Sequence, residues 1–326
     1  MAFIISLIFG FVPMFIFAVI IYWFDRFEKE PKKLLGITFI WGAVVAAGVA
    51  FIFNTILGVG VFAVTGSEFA SEFATSSIFA PIIEESIKGL AVLLVFLFFR
   101  NEFDSILDGI VYASVAALGF AATENTHYIY NLGYLEGGWE GLFSLVFIRV
   151  FVVAWQHPFY TSFIGIGLAI SRLQKPSLIK YLAPIAGWCA AVFTHAAHNT
   201  LAGVDSSFLC IFSSMLDWSG WLAMFILILW LINHEKELLV KFLLSEAEAG
   251  VITERQYQNA ISPSLKTSSQ LRALLSGNFK KLNAFYQICG EMVHKKYQLS
   301  KMGNEDGNLK KIDQLRKELH NLSTSI

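Results

Sequence analysis

Charge is scarce in this chain: Asp, Glu, Lys and Arg make up 15% of its 326 residues, against 56% hydrophobic and 15% aromatic residues. A water-soluble domain carries about a quarter charged residues, so this composition excludes an ordinary soluble protein. Cysteine is sparse too. Cys189, Cys210 and Cys289 make neither a paired disulfide framework nor a CxxC metal spacing, and they read as structural. A basic excess is also missing: 24 Lys and Arg against 25 Asp and Glu give a net charge of -1, which implies no nucleic-acid partner. The first apolar segment, Ala2 to Trp23, lacks a basic stretch and an A-x-A cleavage site, so it is expected to stay as a helix rather than be removed as a signal peptide. There is no internal repeat and no low-complexity tract.

What the chain does have is long apolar runs. Seven candidate spans cover about 2–23, 35–64, 76–99, 106–131, 142–171, 181–203 and 208–232. The expected fold is therefore an all-α polytopic membrane helical bundle with about seven transmembrane helices. Residues 1–232 form the bundle and residues 233–326 a small cytoplasmic helical region. In that tail Thr253 and Gln256 fit a capping box before a short helix that stops near Pro263, and 268–300 and 309–322 have amphipathic helical spacing. Gly250 and Gly303 are placed to end helices, and Gly307 to precede the last one.

The basic residues set the orientation. Arg26, Lys29, Lys32 and Lys33 follow span one, Arg100 follows span three, Arg172, Lys175 and Lys180 follow span five, and fourteen more lie in the tail. The alternate loops, 65–75, 132–141 and 204–207, hold Glu68, Glu72, Glu136, Glu140 and Asp205 but no Lys or Arg. The positive-inside rule then puts the N-terminus outside and the tail in the cytoplasm of a multi-pass cell-membrane protein. Counted from the cytoplasmic ends, Glu85, His157 and His195 each lie about 14 residues up, or ~21 Å, with Glu124 and His198 at ~25–27 Å. Four helices of alternating direction thus deliver polar groups to one layer in the outer half of the bilayer core.

Ionisable residues inside a membrane are costly and mark reaction sites or ion paths. Glu84 and Lys88 are i,i+4 and share a face, while Glu85 points about 100° away. Two adjacent carboxylates in a low-dielectric setting resist ionising together, which suits general acid–base work. Glu124 and Asn125 add a carboxylate and an amide, flanked by Gly119, Ala121 and Ala122, small residues that let helices approach closely. Arg149 and His157 are eight residues apart and are expected on roughly one helix face. His195, His198 and Asn199 form one stripe. It can bind Zn²⁺ together with a carboxylate from another helix, or hold a water while an amide stabilises an oxyanion. The metal-ligand candidates are His157, His195, His198 and Glu124. A metal-free glutamate mechanism fits the same groups. His127 reads as a surface histidine.

Taken together these motifs resemble the PrsW family of intramembrane proteases, relatives of the group that includes the CAAX prenyl proteases. The matching segments are Asp25 to Pro31, Ala80 to Lys88, Asp108 to Tyr112 running on to Glu124-Asn125, the region around His157, and His195 to Asn199. They span about residues 12–203, with the tail outside. The second motif departs from the CAAX type, which carries histidine where Phe120 to Glu124 stand here.

The resemblance implies an intramembrane endopeptidase acting on single-span membrane proteins, with anti-sigma-factor-like regulators as the best-known substrates. It implies catalytic roles for Glu84, Glu85, Glu124, His157 and His195, with Asn199 at the oxyanion position. Lys88, Asn125, Arg149 and His198 are then supporting residues, and the lipid bilayer is the other partner. An ion- or proton-coupled transporter would bury similar Glu and His residues, but it needs a two-sided route and repeated halves. A haem-carrying subunit has no need of three carboxylates beside its histidines.

Overall fold

The computed structural model describes residues 1–204, 206–304 and 307–326, so Asp205 of the expected loop 204–207 lies outside them. No strand occurs among the described residues. Helix α1 (Ala2–Phe24) is followed by α2 (Lys32–Ile40) and α3 (Ala47–Thr65), joined by a π-helical turn at Trp41–Ala46. Next come α4 (Glu68–Ala74) and α5 (Ala80–Phe98), with a second π turn at Thr75–Phe79 between them. Helix α6 (Ile106–His127) runs through a π segment, Tyr128–Tyr134, into α7 (Leu135–Phe147) and a further π turn, Ile148–Val152. After α8 (Gln156–Arg172) and α9 (Leu178–Ala202), the long α10 (Ser207–Glu248) leads to α11 (Glu254–Ile261), α12 (Pro263–Leu275), α13 (Phe279–Met302) and α14 (Asn308–Ser323).

Four helical runs are long and apolar enough to cross a membrane: Ala2–Phe24, Lys32–Thr65, Ile106–Arg172 and Phe208–Glu248. The third has 67 residues, which as a straight rod would be ~100 Å long, about three times the bilayer core. It does not run straight. Gly138 adopts φ 60° and ψ −147°, and a Cβ on Gly141 would overlap the Gly133 carbonyl. The chain folds back here, so the expected loop 132–141 is instead helix reversed at one glycine. The remaining expected spans, 76–99 and 181–203, fall on α5 and α9, whose apolar character is interrupted by Glu84, Glu85 and Lys88 and by His195, His198 and Asn199.

The expected span 142–171 is not one helix. A π turn and a break at 153–155 separate α7 from α8, and Pro158 stands in the first turn after the break. Proline lacks an N–H and crowds the preceding turn, so the helix restarts there. Arg149 and His157 therefore do not share a continuous face.

The chain divides into two compact units. The first comprises 1–22, 31–172 and 176–226. Its centre is α6, buried along almost its whole length. The start of α6 is fixed by Ser105, whose Oγ accepts from the Asp108 N–H at 3.1 Å, while Asp108 Oδ2 accepts from the N–H groups of Asp104 and Ser105 at 2.8 and 2.7 Å. Small residues let neighbouring backbones close in, as expected for the segment around Gly119. A Cβ on Gly109 would overlap the Gly165 carbonyl of α8, and one on Gly119 would overlap the Phe39 carbonyl of α2. One residue before Glu124, Thr123 Oγ1 donates to the Ala43 carbonyl in the first π turn at 2.6 Å.

The second unit comprises 23–30, 173–175 and 227–326. It differs from the expected division at residue 232 because the short segment after α1 belongs to it: Phe27 is buried in an apolar cluster with Leu239, Leu243, Phe285, Met292 and Leu319. Thr253 and Gln256 form the reciprocal capping box at the start of α11. The expected helix over 268–300 is broken, because Gly277 at φ 76° ends α12 and α13 begins at Phe279. Gly250, Gly303 and Gly307 also have positive φ and stand at helix ends.

Candidate active site

Helix α5 enters the core through Pro81 and places Glu84 and Glu85 on adjacent faces. Glu85 and Lys88 are 0% exposed. Lys88 Nζ donates to Glu85 Oε1 at 2.5 Å, so the ion pair that forms is 85–88, not the expected 84–88. An i,i+3 pair lies on one helix face as readily as i,i+4, and Thr161 on α8 favours this choice by donating to Glu85 Oε2 at 2.8 Å. Lys88 also sits 4.5 Å above the Phe120 ring and 3.3 Å from His157 Nδ1.

His195 of α9 completes this arrangement. Its Nδ1 donates to Glu85 Oε1 at 2.9 Å, which turns its Nε2 toward Glu84 Oε2 at 3.9 Å. Glu84 is buried, and its Oε1 accepts a long 3.4 Å bond from Asn54 of α3. Among the described residues Glu84 Oε2 has no hydrogen-bond partner. His157 joins from the start of α8, its ring 5.4 Å from that of His195. One ligand-competent atom from each of Glu84, His157 and His195 lies within 4.8 Å of the others.

Behind His157 stands Glu124 of α6. His157 Nε2 donates to Glu124 Oε2 at 2.8 Å, and Arg149 Nη2 pairs with the same oxygen. Arg149 Nε donates to Asn125 Oδ1 at 2.8 Å, and the guanidinium lies 4.4 Å above the Tyr128 ring. Although the α7–α8 break separates Arg149 from His157, both reach the same oxygen of one carboxylate. Glu124 remains partly accessible, with its side chain 19% exposed.

The expected stripe on α9 splits three ways. His195 serves the centre just described. His198 instead pairs with Asp217 of α10, Nδ1 to Oδ2 at 2.5 Å, with Ser213 Oγ 2.8 Å away. Asn199 donates to the Ser76 carbonyl in the π turn before α5, at 2.9 Å. Residues three apart on a helix diverge by about 60°, enough for flanking helices to divide them. His127 contacts Asn131 at an exposed position.

Several groups escaped the sequence reading. Tyr160 stacks on His195, with ring centroids 5.1 Å apart, and donates its hydroxyl to Asp217 Oδ1 at 2.7 Å. Gln156 donates to Asp217 Oδ2 at 2.8 Å. Asp217 and Asn54 carried a readable signal, each a lone polar residue in an apolar run. Tyr160, Thr161 and Gln156 carried none, since the chain around them is mixed in polarity. A cavity of about 200 Å³ adjoins Gln156 and Asp217, lined otherwise by Phe151, Val152, Val153, Trp155, Trp218 and Trp221.

Fold and site together define a helical membrane protein with a buried centre of two imidazoles and a carboxylate, braced by two further carboxylates. Residues 30–231 match a family model described as "PrsW family intramembrane metalloprotease". That match covers more than half of the chain, and the chain belongs to this family. Among similar proteins, Protease PrsW of Geobacillus kaustophilus is 31% identical over 105 residues, which is 32% of this chain and 43% of that protein. Protease PrsW of Oceanobacillus iheyensis is 33% identical over 130 residues, 38% of this chain and 54% of that protein. Protease PrsW of Bacillus subtilis is 30% identical over 109 residues, 33% and 46% respectively. The chain thus spans about half the length of the curated relatives it matches. No solved structure matches it.

Proposed function

We propose that the chain is an endopeptidase that hydrolyses peptide bonds of membrane-embedded or membrane-proximal proteins, single-span anti-sigma-factor-like regulators among them. The observation that carries this reading is the convergence of Glu84, His157 and His195 within 4.8 Å inside a membrane bundle, with Glu84 Oε2 buried and, among the described residues, without a hydrogen-bond partner. A buried carboxylate oxygen with no donor is costly unless a positive group completes it. Two imidazoles and one carboxylate form a donor set of catalytic zinc sites that keep an open position. The residues therefore fit a zinc ion, held by Glu84, His157 and His195. When bound, it supplies Lewis acidity that favours ionisation of a water and polarises a carbonyl.

The chain's own groups do the remaining work. Glu85 is a positioning residue: it fixes the His195 ring through Nδ1 and keeps Nε2 facing Glu84. Glu124 moves the proton. It accepts one from water as the water oxygen bonds to the scissile carbonyl carbon, and it returns that proton to the amide nitrogen as the C–N bond breaks. Arg149 holds the Glu124 carboxylate in place between these transfers. The aromatic cavity beside Gln156 accommodates an apolar substrate side chain.

The distribution of Lys and Arg supports an outside N-terminus, a cytoplasmic tail and a site open toward the outer face. The test is cleavage of a tagged single-span substrate in liposomes by purified wild type, Glu84→Gln, Glu85→Gln and His195→Ala, with metal content measured on each. Wild type should cleave, and Glu84→Gln and His195→Ala should lose both cleavage and metal. Wild-type cleavage without bound metal would leave a glutamate-only mechanism with Glu84 as the base. Equal cleavage by all four would remove the proposal.

A further inference from the structure

The second unit contains a cavity of about 180 Å³ that no part of the proteolytic reading uses. Three of its lining residues are basic, Arg26, Lys29 and Lys266, and none is acidic. The segment that carries Arg26 and Lys29 also holds Asp25, Glu28 and Glu30, but none of these acids lines the cavity.

The cavity is built on the segment after α1 and held in shape by two helices. Gln287 of α13 clamps Lys29, accepting from its N–H at 2.8 Å and donating to its carbonyl at 2.9 Å. Lys266 of α12 reaches under the same segment, and its Nζ donates to the Arg26 carbonyl at 2.7 Å. The ammonium lies 5.2 Å from the Tyr286 ring centroid and 5.7 Å from that of Phe27. The Arg26 guanidinium stacks 4.1 Å above Trp23 at the open side. Among the described residues, neither Arg26 nor Lys266 forms a salt bridge. Asp25 and Glu235 favour the charged form of Lys266 electrostatically.

A neutral amide would hold those carbonyls without taking an ammonium out of water, so burying a lysine here is costly unless a negative group joins it. We propose that this cavity binds the phosphate group of an anionic ligand, a phospholipid headgroup or a free phosphate compound. The Arg26 guanidinium and the Lys266 ammonium supply the charge, and the preformed segment lowers the ordering cost. Burial, with Lys29 nearby, pushes Lys266 down to about 8, a depression that a bound anion offsets. Trp23 lies in the last turn of α1, a helix long and apolar enough to cross a membrane, and tryptophan settles at the headgroup level, so phospholipid is within reach.

The test is titration calorimetry on the full chain in zwitterionic detergent at fixed ionic strength, with dihexanoyl-phosphatidylglycerol, dihexanoyl-phosphatidylcholine and inorganic phosphate as probes. Saturable binding of phosphatidylglycerol or phosphate, with no saturable binding of the zwitterionic lipid, is expected. Arg26→Gln and Lys266→Met should each weaken binding about tenfold, a loss of roughly 1.4 kcal/mol. Displacement of the lipid by inorganic phosphate identifies a free phosphate compound as ligand, and lack of displacement identifies the headgroup. Arg26→Gln keeps the test independent of folding, since the guanidinium stacks on the Trp23 ring and forms no salt bridge among the described residues. Absence of saturable binding, or an Arg26→Gln variant that binds like wild type, would overturn the proposal.

Discussion

His195 Nδ1 lies 2.9 Å from Glu85 Oε1, across 110 residues of sequence, and this contact decides which end of the imidazole is free. With Nδ1 engaged, Nε2 faces Glu84. A carboxylate behind a ligating histidine tunes the ring without touching the metal, and its loss typically weakens metal affinity 10–100-fold. Glu85→Gln is therefore expected to need roughly 10–100-fold more free zinc for half-maximal cleavage, while approaching wild-type turnover at saturation. Glu84→Gln should stay inactive at any zinc concentration. A zinc titration of both variants separates the two roles.

Arg149 and Glu124 form the second relationship on which the site depends. Removing one partner of a buried ion pair leaves the other charge unpaired, at a cost of about 3–5 kcal/mol. Arg149 is 15% exposed and Glu124 19%, which puts this pair at or below the lower end of that range. Arg149→Met should lower the detergent unfolding temperature and abolish cleavage. Arg149→Met with Glu124→Gln should recover much of the stability but none of the activity. Recovery of cleavage in the double variant would exclude Glu124 as the proton carrier.

The fold was legible in the sequence wherever one residue type settled the matter. Apolar runs located the helices, Thr253 with Gln256 marked a helix start, and Gly250, Gly303 and Gly307 marked helix ends, while the break at Gly277 went unread. Inside the spans the sequence was less legible, because π turns leave no compositional mark and hydrophobicity does not register a reversal such as that at Gly138. Of the site, Glu84, Glu85, Glu124, His157 and His195 were readable as charges out of place. Their division of labour was not. It depends on which neighbouring helix meets each face: α5 takes His195, α10 takes His198, and the π turn at Thr75–Phe79 takes Asn199.

The contact between α6 and α8 brings Glu124 and His157 together, and it rests on Gly109 facing Gly165 with no room for a Cβ on either. The obstruction is backbone carbonyl on both sides, so no side-chain rotation relieves it. Gly165→Val should cost about 1–3 kcal/mol through overpacking. It should also reduce both cleavage and zinc binding, because His157 lies on the same helix as Gly165 and is displaced from Glu84, His195 and Glu124. Unfolding in detergent and metal content, measured together, check this.

Asp217 reaches the centre through Tyr160, whose hydroxyl it accepts while the ring stacks on His195. Asp217→Asn keeps the size of the group but removes its charge, which should loosen both Tyr160 and His198. The expected result is a moderate fall in turnover, about tenfold, with metal content unchanged. Tyr160→Phe, which loses the hydroxyl but keeps the stacked ring, should reproduce part of it. A loss of metal in either variant would contradict the positioning role.

Glu246 lies near the C-terminal end of α10, past the expected apolar span 208–232, and is expected to give the second unit part of its acid sensitivity. Its side chain is 1% exposed and is held by Lys296 at 2.5 Å and by Arg316 through Nε and Nη2, both at 2.8 Å. Burial pushes the carboxyl up, but the hydrogen bonds from Arg316 and Lys296 outweigh it and hold the group below its ordinary value of 4.5. The folded state therefore binds the proton less readily than the unfolded chain does. The stabilisation is complete above about pH 5 and is lost as pH falls through the depressed folded value. Glu246→Gln should destabilise the second unit at neutral pH by about 1.5–3 kcal/mol, the range for hydrogen bonds to a charged group. It should also flatten the fall in stability below pH 5, measured by hydrogen exchange in α13 and α14 of the full chain. If the acid limb of that profile is unchanged in the variant, the pH dependence comes from another carboxylate.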